Sequence, residues 1–176
     1  MVPVLGEQEF RDLMAGVCAP ITIVTAAAEE LPRGTTVSAF ASLSLKPPMV
    51  TVALDRSSGV LAHITATGRF GVNVLGHGQD DLALLFARRG ADRFAGTDWH
   101  FDHGLPRIDA APGWLACEVA DVVEGGDHLL LLGTVTHART TPAAPLVYGH
   151  RLFGTHSAYA SRPRHTIREQ LAAFAR

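Results

Sequence analysis

Gly34-Thr35-Thr36-Val37-Ser38-Ala39-Phe40-Ala41-Ser42-Leu43-Ser44-Leu45-Lys46-Pro47-Pro48 sets five hydroxyl side chains among small and apolar residues and stops them with a proline pair. Alternation at period two predicts extended backbone, with Thr36, Ser38, Ser42 and Ser44 turned away from the buried face. Val37, Leu43 and Leu45 are expected on the opposite, buried side. Ala39-Phe40-Ala41 breaks the phase and predicts a bend. Small hydroxyl residues let a planar polar ligand approach the backbone and supply both donors and acceptors. Taken alone, the stretch also reads as an ordinary Ser/Thr-rich edge strand.

The segments around it are mostly short and β-like. Ile21 to Thr25 is rich in β-branched residues and reads as a strand, and Glu29 to Gly34 reads as the hairpin loop that leads into the hydroxyl-rich stretch. Met49 to Leu54 forms a third strand. Ser57 or Ser58 then caps a helix through Val60, Leu61 and Ile64, ended by Gly68. Phe70 to Leu75 follows as a strand and Gln79 to Arg89 as a helix with Leu82, Leu85 and Phe86 on one face. Trp114 to Val123 and His128 to Ala138 flank the turn Glu124-Gly125-Gly126-Asp127, which makes a β-hairpin. Pro145 to Tyr148 and Leu152-Phe153 are short closing strands. Helices open and close the chain, at Glu7 to Val17 and Thr166 to Ala175; Phe10, Leu13, Met14 and Val17 give the first an amphipathic spacing. Many strands with few peripheral helices predict a mainly β, closed or nearly closed barrel. No GxGxxG follows a strand, which argues against a Rossmann fold.

The 176 residues carry a net charge of −2, with 47% apolar and 18% charged residues, which fits one compact domain over 1–176. That balance leaves no electrostatic footprint for nucleic acid or an anionic membrane. No signal peptide or bilayer-long apolar run is present, so a cytoplasmic protein is expected. Cys18 and Cys117 have no CxxC spacing and read as buried free thiols in a reducing compartment.

Four clusters invite chemistry. Ser57-Ser58, after a strand and opening a helix, suits a phosphate at the helix N-terminus, and it equally suits a plain N-cap. Arg88-Arg89 either reaches the same anion or simply complements a helix C-terminus. Gly126-Asp127-His128 puts a histidine at a hairpin tip, able to contact a ligand or merely exposed. His100 and His103 complete no metal-ligand set and read as loop residues, so no metal is expected. No GxSxG elbow marks a hydrolase.

In order, GTTVSAFASLSLKPPMVTVALDRSS, FGVNVL, LALLFARRGADRF, LACEV, GGDHLLLLGTV and APLVY resemble the flavin reductase-like family over residues 8 to 155. The resemblance implies a split β-barrel of the FMN-binding type and a homodimer with flavin near the subunit interface. It places Thr36, Val37, Ser38 and Ala39 along the isoalloxazine and Ser42, Leu43 and Ser44 toward the ribityl chain and phosphate. Asp55, Arg56, Ser57 and Ser58 match the phosphate-side loop, and Arg88 and Arg89 match a basic position near phosphate or adenylate. Asp127 and His128 fall near the nicotinamide. Ala39 departs from a position where many relatives carry a polar residue, and a backbone N–H there can replace the lost donor.

The activity implied is that of an NAD(P)H:flavin oxidoreductase. It passes hydride from NADH, favoured over NADPH by family habit, to FMN or FAD and supplies reduced flavin to a partner flavin-dependent monooxygenase. A flavin-binding carrier or sensor without turnover is the rival from another class, and a pyridoxamine phosphate oxidase is the second enzyme alternative.

Overall fold

A computed structural model describes residues 5–90 and 92–159. The chain runs α1 (Glu7–Ala15), β1 (Ala19–Pro20), β2 (Thr22–Ala28), β3 (Leu31–Val37), β4 (Phe40–Leu45), β5 (Pro48–Asp55), α2 (Gly59–Thr67), β6 (Arg69–Val74) and α3 (Asp80–Ala87). It continues as β7 (Trp99–Asp102), β8 (Leu105–Ile108), β9 (Gly113–Gly125), β10 (His128–Thr140), β11 (Val147–Gly149) and β12 (Leu152–Gly154). The helix expected over 166–175 lies outside the described residues.

Seven strands pair in the order β3-β2-β6-β9-β10-β5-β4, every neighbour antiparallel, to give a split barrel. Its two edges, β3 and β4, are consecutive in the chain. They part at Ser38-Ala39, where the predicted bend occurs, and the Ala53 N–H donates to Ala39 O at 3.0 Å to hold that corner against β5. The hairpin expected over Glu29 to Gly34 is tighter than predicted: Glu29 and Glu30 turn with positive φ, and Pro32 and Gly34 already lie in β3. An edge strand accommodates Pro32 because its missing N–H faces no partner.

Both faces of β2 are covered. Val24 and Ala26 join Val52, Phe70, Val72 and Leu131 in a core closed by Val60, Leu61 and Ile64 of α2. Ile21 and Ile23 join a second core closed by Ala83 and Phe86 of α3. α2 stops at Gly68, which takes the left-handed conformation at φ 67° that a side chain disfavours. Buried polar groups tie the β7–β8 hairpin to the barrel: Thr25 Oγ1 donates to Pro106 O at 2.6 Å, and Ile108 N donates to Asn73 Oδ1 at 2.8 Å.

Three expectations are corrected, and the expected opening helix forms without burying its apolar stripe. Leu43 and Leu45 are exposed, Leu45 at 89%, because a bulge between Ser42 and Ser44 breaks the alternation along edge strand β4. None of the residues of α1 is buried, so its apolar stripe meets no core of this chain among the described residues. Cys18 is exposed, since it precedes an edge strand rather than lying in the sheet, whereas Cys117 on central β9 is buried. His100 belongs to β7 rather than to a loop, and only His103 turns the hairpin, with φ 51°.

Candidate functional site

A cavity of about 1210 Å³ opens beside the β3–β4 corner. Its wall comprises residues 31–39 of β3 and the corner, 53–55 and 57–60 at the junction of β5 and α2, residues from the segment after α3, Trp99 and His128. Thr36, Val37, Ser38, Ala39, Asp55, Ser57, Ser58, Arg89 and His128, all singled out in the sequence, line it.

The corner is rich in unused donors. Ser38 and Ala39 have left β3 and not yet entered β4, and their N–H groups donate to no partner among the described residues. Val37, Leu54 and Val60, all buried, form the apolar floor beside them. Thr36 differs from its neighbours: its hydroxyl donates to Ala83 O on α3 at 2.6 Å, so the proton is committed to the fold and only the oxygen lone pairs remain for a ligand.

The opposite wall is the start of α2. Its first two N–H groups, of Gly59 and Val60, have no intrahelical acceptor. Ser58 occupies the N-cap position with φ −67° and ψ 124°, yet its side chain makes no capping bond. Ser57 instead donates through N and Oγ to Asp55 Oδ1, both at 2.7 Å. These two bonds, helped by the charges of His128 and Arg89, hold the Asp55 carboxyl below its ordinary range. Leu61 N donates to Ser58 O at 3.0 Å, whereas the cap hydroxyl and the Gly59 and Val60 amides donate to no partner among the described residues and are left for an acceptor in the cavity.

His128 opens β10 directly across from Asp55. Its Nδ1 lies 2.7 Å from Asp127 Oδ1. That bond lowers the Asp127 pKa, with the imidazole charge adding to it. An ionised carboxylate only accepts, so Nδ1 carries the proton and, in the neutral ring, Nε2 is left as acceptor. The turn beneath needs Gly126, whose φ is 65°.

Other sequence candidates lie outside the cavity wall. Arg56 clamps the hairpin turn instead: Nε donates to Gly126 O at 3.0 Å and Nη2 lies 3.6 Å from Glu124. Asp127 reaches the site only through His128. Arg88 caps α3, and its carbonyl accepts from Arg93, while its side chain stays out of the wall. Ser42, Leu43 and Ser44 run away along β4 once the chain has turned at Ala39, and the Ser44 hydroxyl accepts from Lys46 N at 3.2 Å.

The structure adds residues to which the sequence reading gives no role in the site. Arg93 donates to Arg88 O through Nε at 2.9 Å and through Nη2, and to Gly34 O through Nη1, so it staples the post-α3 segment to β3. Gly34 is required there: a Cβ would sit 2.7 Å from Phe86 Cε1. Arg33, Phe94 and Trp99 complete this end of the wall. A basic residue five positions past Arg88, followed by phenylalanine, was the available sequence signal, but nothing local says that it folds back onto residue 34.

Among the described residues no group of three or more His, Cys, Asp or Glu side chains is placed to hold a metal. His100 pairs with Asp109 at 2.5 Å, and His103 stacks on His137 with centroids 3.5 Å apart, both away from the cavity wall.

An apolar floor, an edge of free amides and a cationic, helix-capped end suit a planar ring with a polar edge and an anionic tail, which is the chemistry of a flavin nucleotide. Residues 14–157 match the family model described as a flavin reductase like domain. The reductase component of 4-nitrophenol 4-monooxygenase/4-nitrocatechol 2-monooxygenase from Rhodococcus opacus is 39% identical over 150 residues, covering 85% of this chain and 81% of that protein. The NADH:riboflavin 5'-phosphate oxidoreductase of Streptomyces pristinaespiralis is 39% identical over 159 residues, covering 87% and 90%. Among solved structures, the Streptomyces globisporus NADH:FAD oxidoreductase SgcE6, in complex with NAD and FAD fragments, superposes with a TM-score of 0.82 at 29% identity, covering 91% of this chain and all of that one. The chain belongs to the flavin reductase-like family.

Proposed function

We propose that this protein is an NAD(P)H:flavin oxidoreductase, one domain over residues 1–176, that passes hydride from NADH to FMN or FAD and supplies the reduced flavin to a partner monooxygenase. The observation that carries the reading is the Ser38-Ala39 corner, whose free amides face the uncapped N-terminus of α2 across one cavity. A bound flavin supplies the electron-accepting ring, and everything else is orientation and polarity from this chain.

Val37, Leu54 and Val60 form the buried apolar floor that would exclude water from the ring. The Ser38 and Ala39 N–H groups would donate to the polar edge of the ring and favour negative charge there. Ser57, Ser58 and the first turn of α2, with Arg89, would hold the phosphate. His128, its tautomer set by Asp127, would orient the nicotinamide in the cavity. NADH is the preferred donor. No side chain in the site has to give up or take a proton for hydride to move.

A homodimer fits the surface. Leu43 and Leu45 on edge strand β4 and Val122 and Val123 at the end of the long hairpin are all exposed apolar residues. An edge strand of this kind is stabilised when a second copy covers it. Sedimentation tests this: a monomer that keeps full flavin affinity contradicts it. The working compartment is the cytoplasm, and no helix among the described residues is long and apolar enough to cross a membrane.

The deciding assay is NADH consumption with free FMN, FAD or riboflavin. Flavin-dependent turnover is expected. A tightly held flavin that neither NADH nor NADPH reduces would instead identify a carrier or sensor.

A further inference from the structure

Arg56 stands between Asp55 and Ser57, which line the cavity, yet it is not itself part of the wall. The pairing of β5 with β10 ends at Asp55 and His128, and beyond that pair two turns meet. One is the exit of β5 at Arg56-Ser57, and the other is the Gly126-Asp127 tip between β9 and β10. Arg56 joins them with both its backbone and its side chain. Its N–H donates to Asp127 O at 3.1 Å, Nε donates to Gly126 O at 3.0 Å, and Nη2 lies 3.6 Å from Glu124 Oε2. Among the described residues, every side-chain hydrogen bond or ion pair that reaches residues 124–127 from outside the hairpin comes from Arg56.

These contacts are unequal. The Glu124 side chain is 82% exposed, so its ion pair adds little. The bond to Gly126 O is directional, because the donor belongs to a planar guanidinium. What it holds is the tip of a hairpin, a place where exposed backbone bonds open most easily. That tip carries Asp127, whose carboxylate accepts from His128 Nδ1 at 2.7 Å, so a displaced tip displaces the group that fixes the imidazole. The platform on the other side is firm. Ser57 N and Oγ both donate to Asp55 Oδ1 at 2.7 Å, which ties the exit of β5 to itself.

We propose that Arg56 is a positioning residue for the nicotinamide. By locking the 126–127 tip to the loop between β5 and α2, it fixes the Asp127–His128 pair relative to Ser57 and Ser58. The place of the dinucleotide relative to the flavin follows from that lock. The inference rests on the reductase reading of the cavity. It assigns Arg56 to the hydride donor, not to the flavin phosphate beside which its place in the chain puts it. Because Arg56 acts through His128, removing it costs no more than removing His128 itself.

The test compares the wild type with Arg56→Ala, Arg56→Lys, His128→Ala and the double variant Arg56→Ala/His128→Ala. Flavin affinity is read from the fluorescence of FMN or FAD titrated with protein, and KM for NADH from steady-state oxidation at saturating flavin. Arg56→Ala is expected to raise KM for NADH roughly two- to tenfold, with flavin affinity within about twofold of the wild type. Arg56→Lys keeps the charge and loses the fixed fork, so it should fall between the two. In the His128→Ala background, Arg56→Ala should change KM for NADH by less than about twofold. The Arg56 side chain is 43% exposed, and thermal melting checks each fold; should Arg56→Ala melt lower, Arg56→Lys carries the same comparisons. A loss of flavin affinity as large as the change in KM for NADH would make Arg56 an anion ligand and overturn the proposal. Effects of Arg56→Ala and His128→Ala that multiply overturn it too, as does a KM for NADH that neither Arg56 variant moves. Wild-type protein that reduces no flavin with NADH or NADPH overturns the reductase reading itself and this inference with it.

Discussion

Replacing Gly34 with alanine strikes the point where the fold and the cavity share one residue. A Cβ there would lie 2.7 Å from Phe86 Cε1, 2.9 Å from Phe86 Cδ1 and 3.2 Å from Phe94 Cζ. Ordinary carbon contacts begin near 3.5 Å, so a ring with no exposed surface has to shift by somewhat under an ångström. Phe86 is itself held edge-to-face by Phe94 at 5.2 Å, and Phe94 by Trp99, so the shift cannot be absorbed locally. Overpacking of this kind costs about 1–3 kcal/mol. At roughly 2–4 °C per kcal/mol for a chain of this size, Gly34→Ala should melt about 2–12 °C lower than the wild type. The same movement disturbs the Arg93 bond to Gly34 O, so KM for flavin should rise as well. The discriminating measurement is a double-mutant cycle with Phe86→Leu, which removes the ring that the Cβ meets. The pair should then be at least about 1 kcal/mol less destabilised than the sum of the singles. Strict additivity, or a Gly34→Ala protein that melts with the wild type, would refute the steric argument.

His128→Ala should raise KM for NADH or slow hydride transfer roughly two- to tenfold while leaving flavin affinity nearly intact, and Ser58→Ala should do the reverse; stopped-flow reduction alongside flavin titration separates them. Asp55→Asn probes a carboxyl whose folded pKa lies below its ordinary 3.8, so whatever stability its ionised form adds is present above that value. The difference between wild type and variant should therefore be flat above about pH 5 and shrink as the pH falls through 3.8 and below, followed by denaturant melts at each pH. Burial raises the Cys117 thiol to about 12, and Cys18 is exposed, so a disulfide reagent at pH 8 should titrate one thiol quickly and the second only after unfolding. Thr36→Val should cost about 0.5–1.5 kcal/mol in stability through the lost bond to Ala83 O, read by thermal melting.

Local chemistry made most of the strands and the family legible in the sequence. β-branched runs, the Gly-rich hairpin at 124–127 and the break at Ala39-Phe40-Ala41 each act over a few residues, and the structure realises them as β2, the β9–β10 turn and the Ser38-Ala39 corner. Gly68 ends α2 as its conformational freedom allows. The ordered motifs carried the family, because the backbone along residues 34–48 and the strand-to-helix step at 55–58 are contiguous pieces of chain.

What local reading could not decide was which way side chains face once sheets curl and edges form. Strict alternation placed Leu43 and Leu45 inside, but one bulge on an edge strand reverses the facing, and no residue type in that run announces it. Ser42 and Ser44 share a motif with Ser38, yet the corner between them sends them along β4 and out of the cavity wall. Arg33 and Arg93 show the converse. No arginine cluster is visible in the chain order, since 59 residues separate Arg93 from Gly34, whose carbonyl it grips. Only closure of the barrel, which brings the segment after α3 against β3, puts the two charges on one cavity wall. Pattern and propensity act along the chain, whereas the position of a charge in a cavity depends on contacts between segments whose separation the sequence does not record.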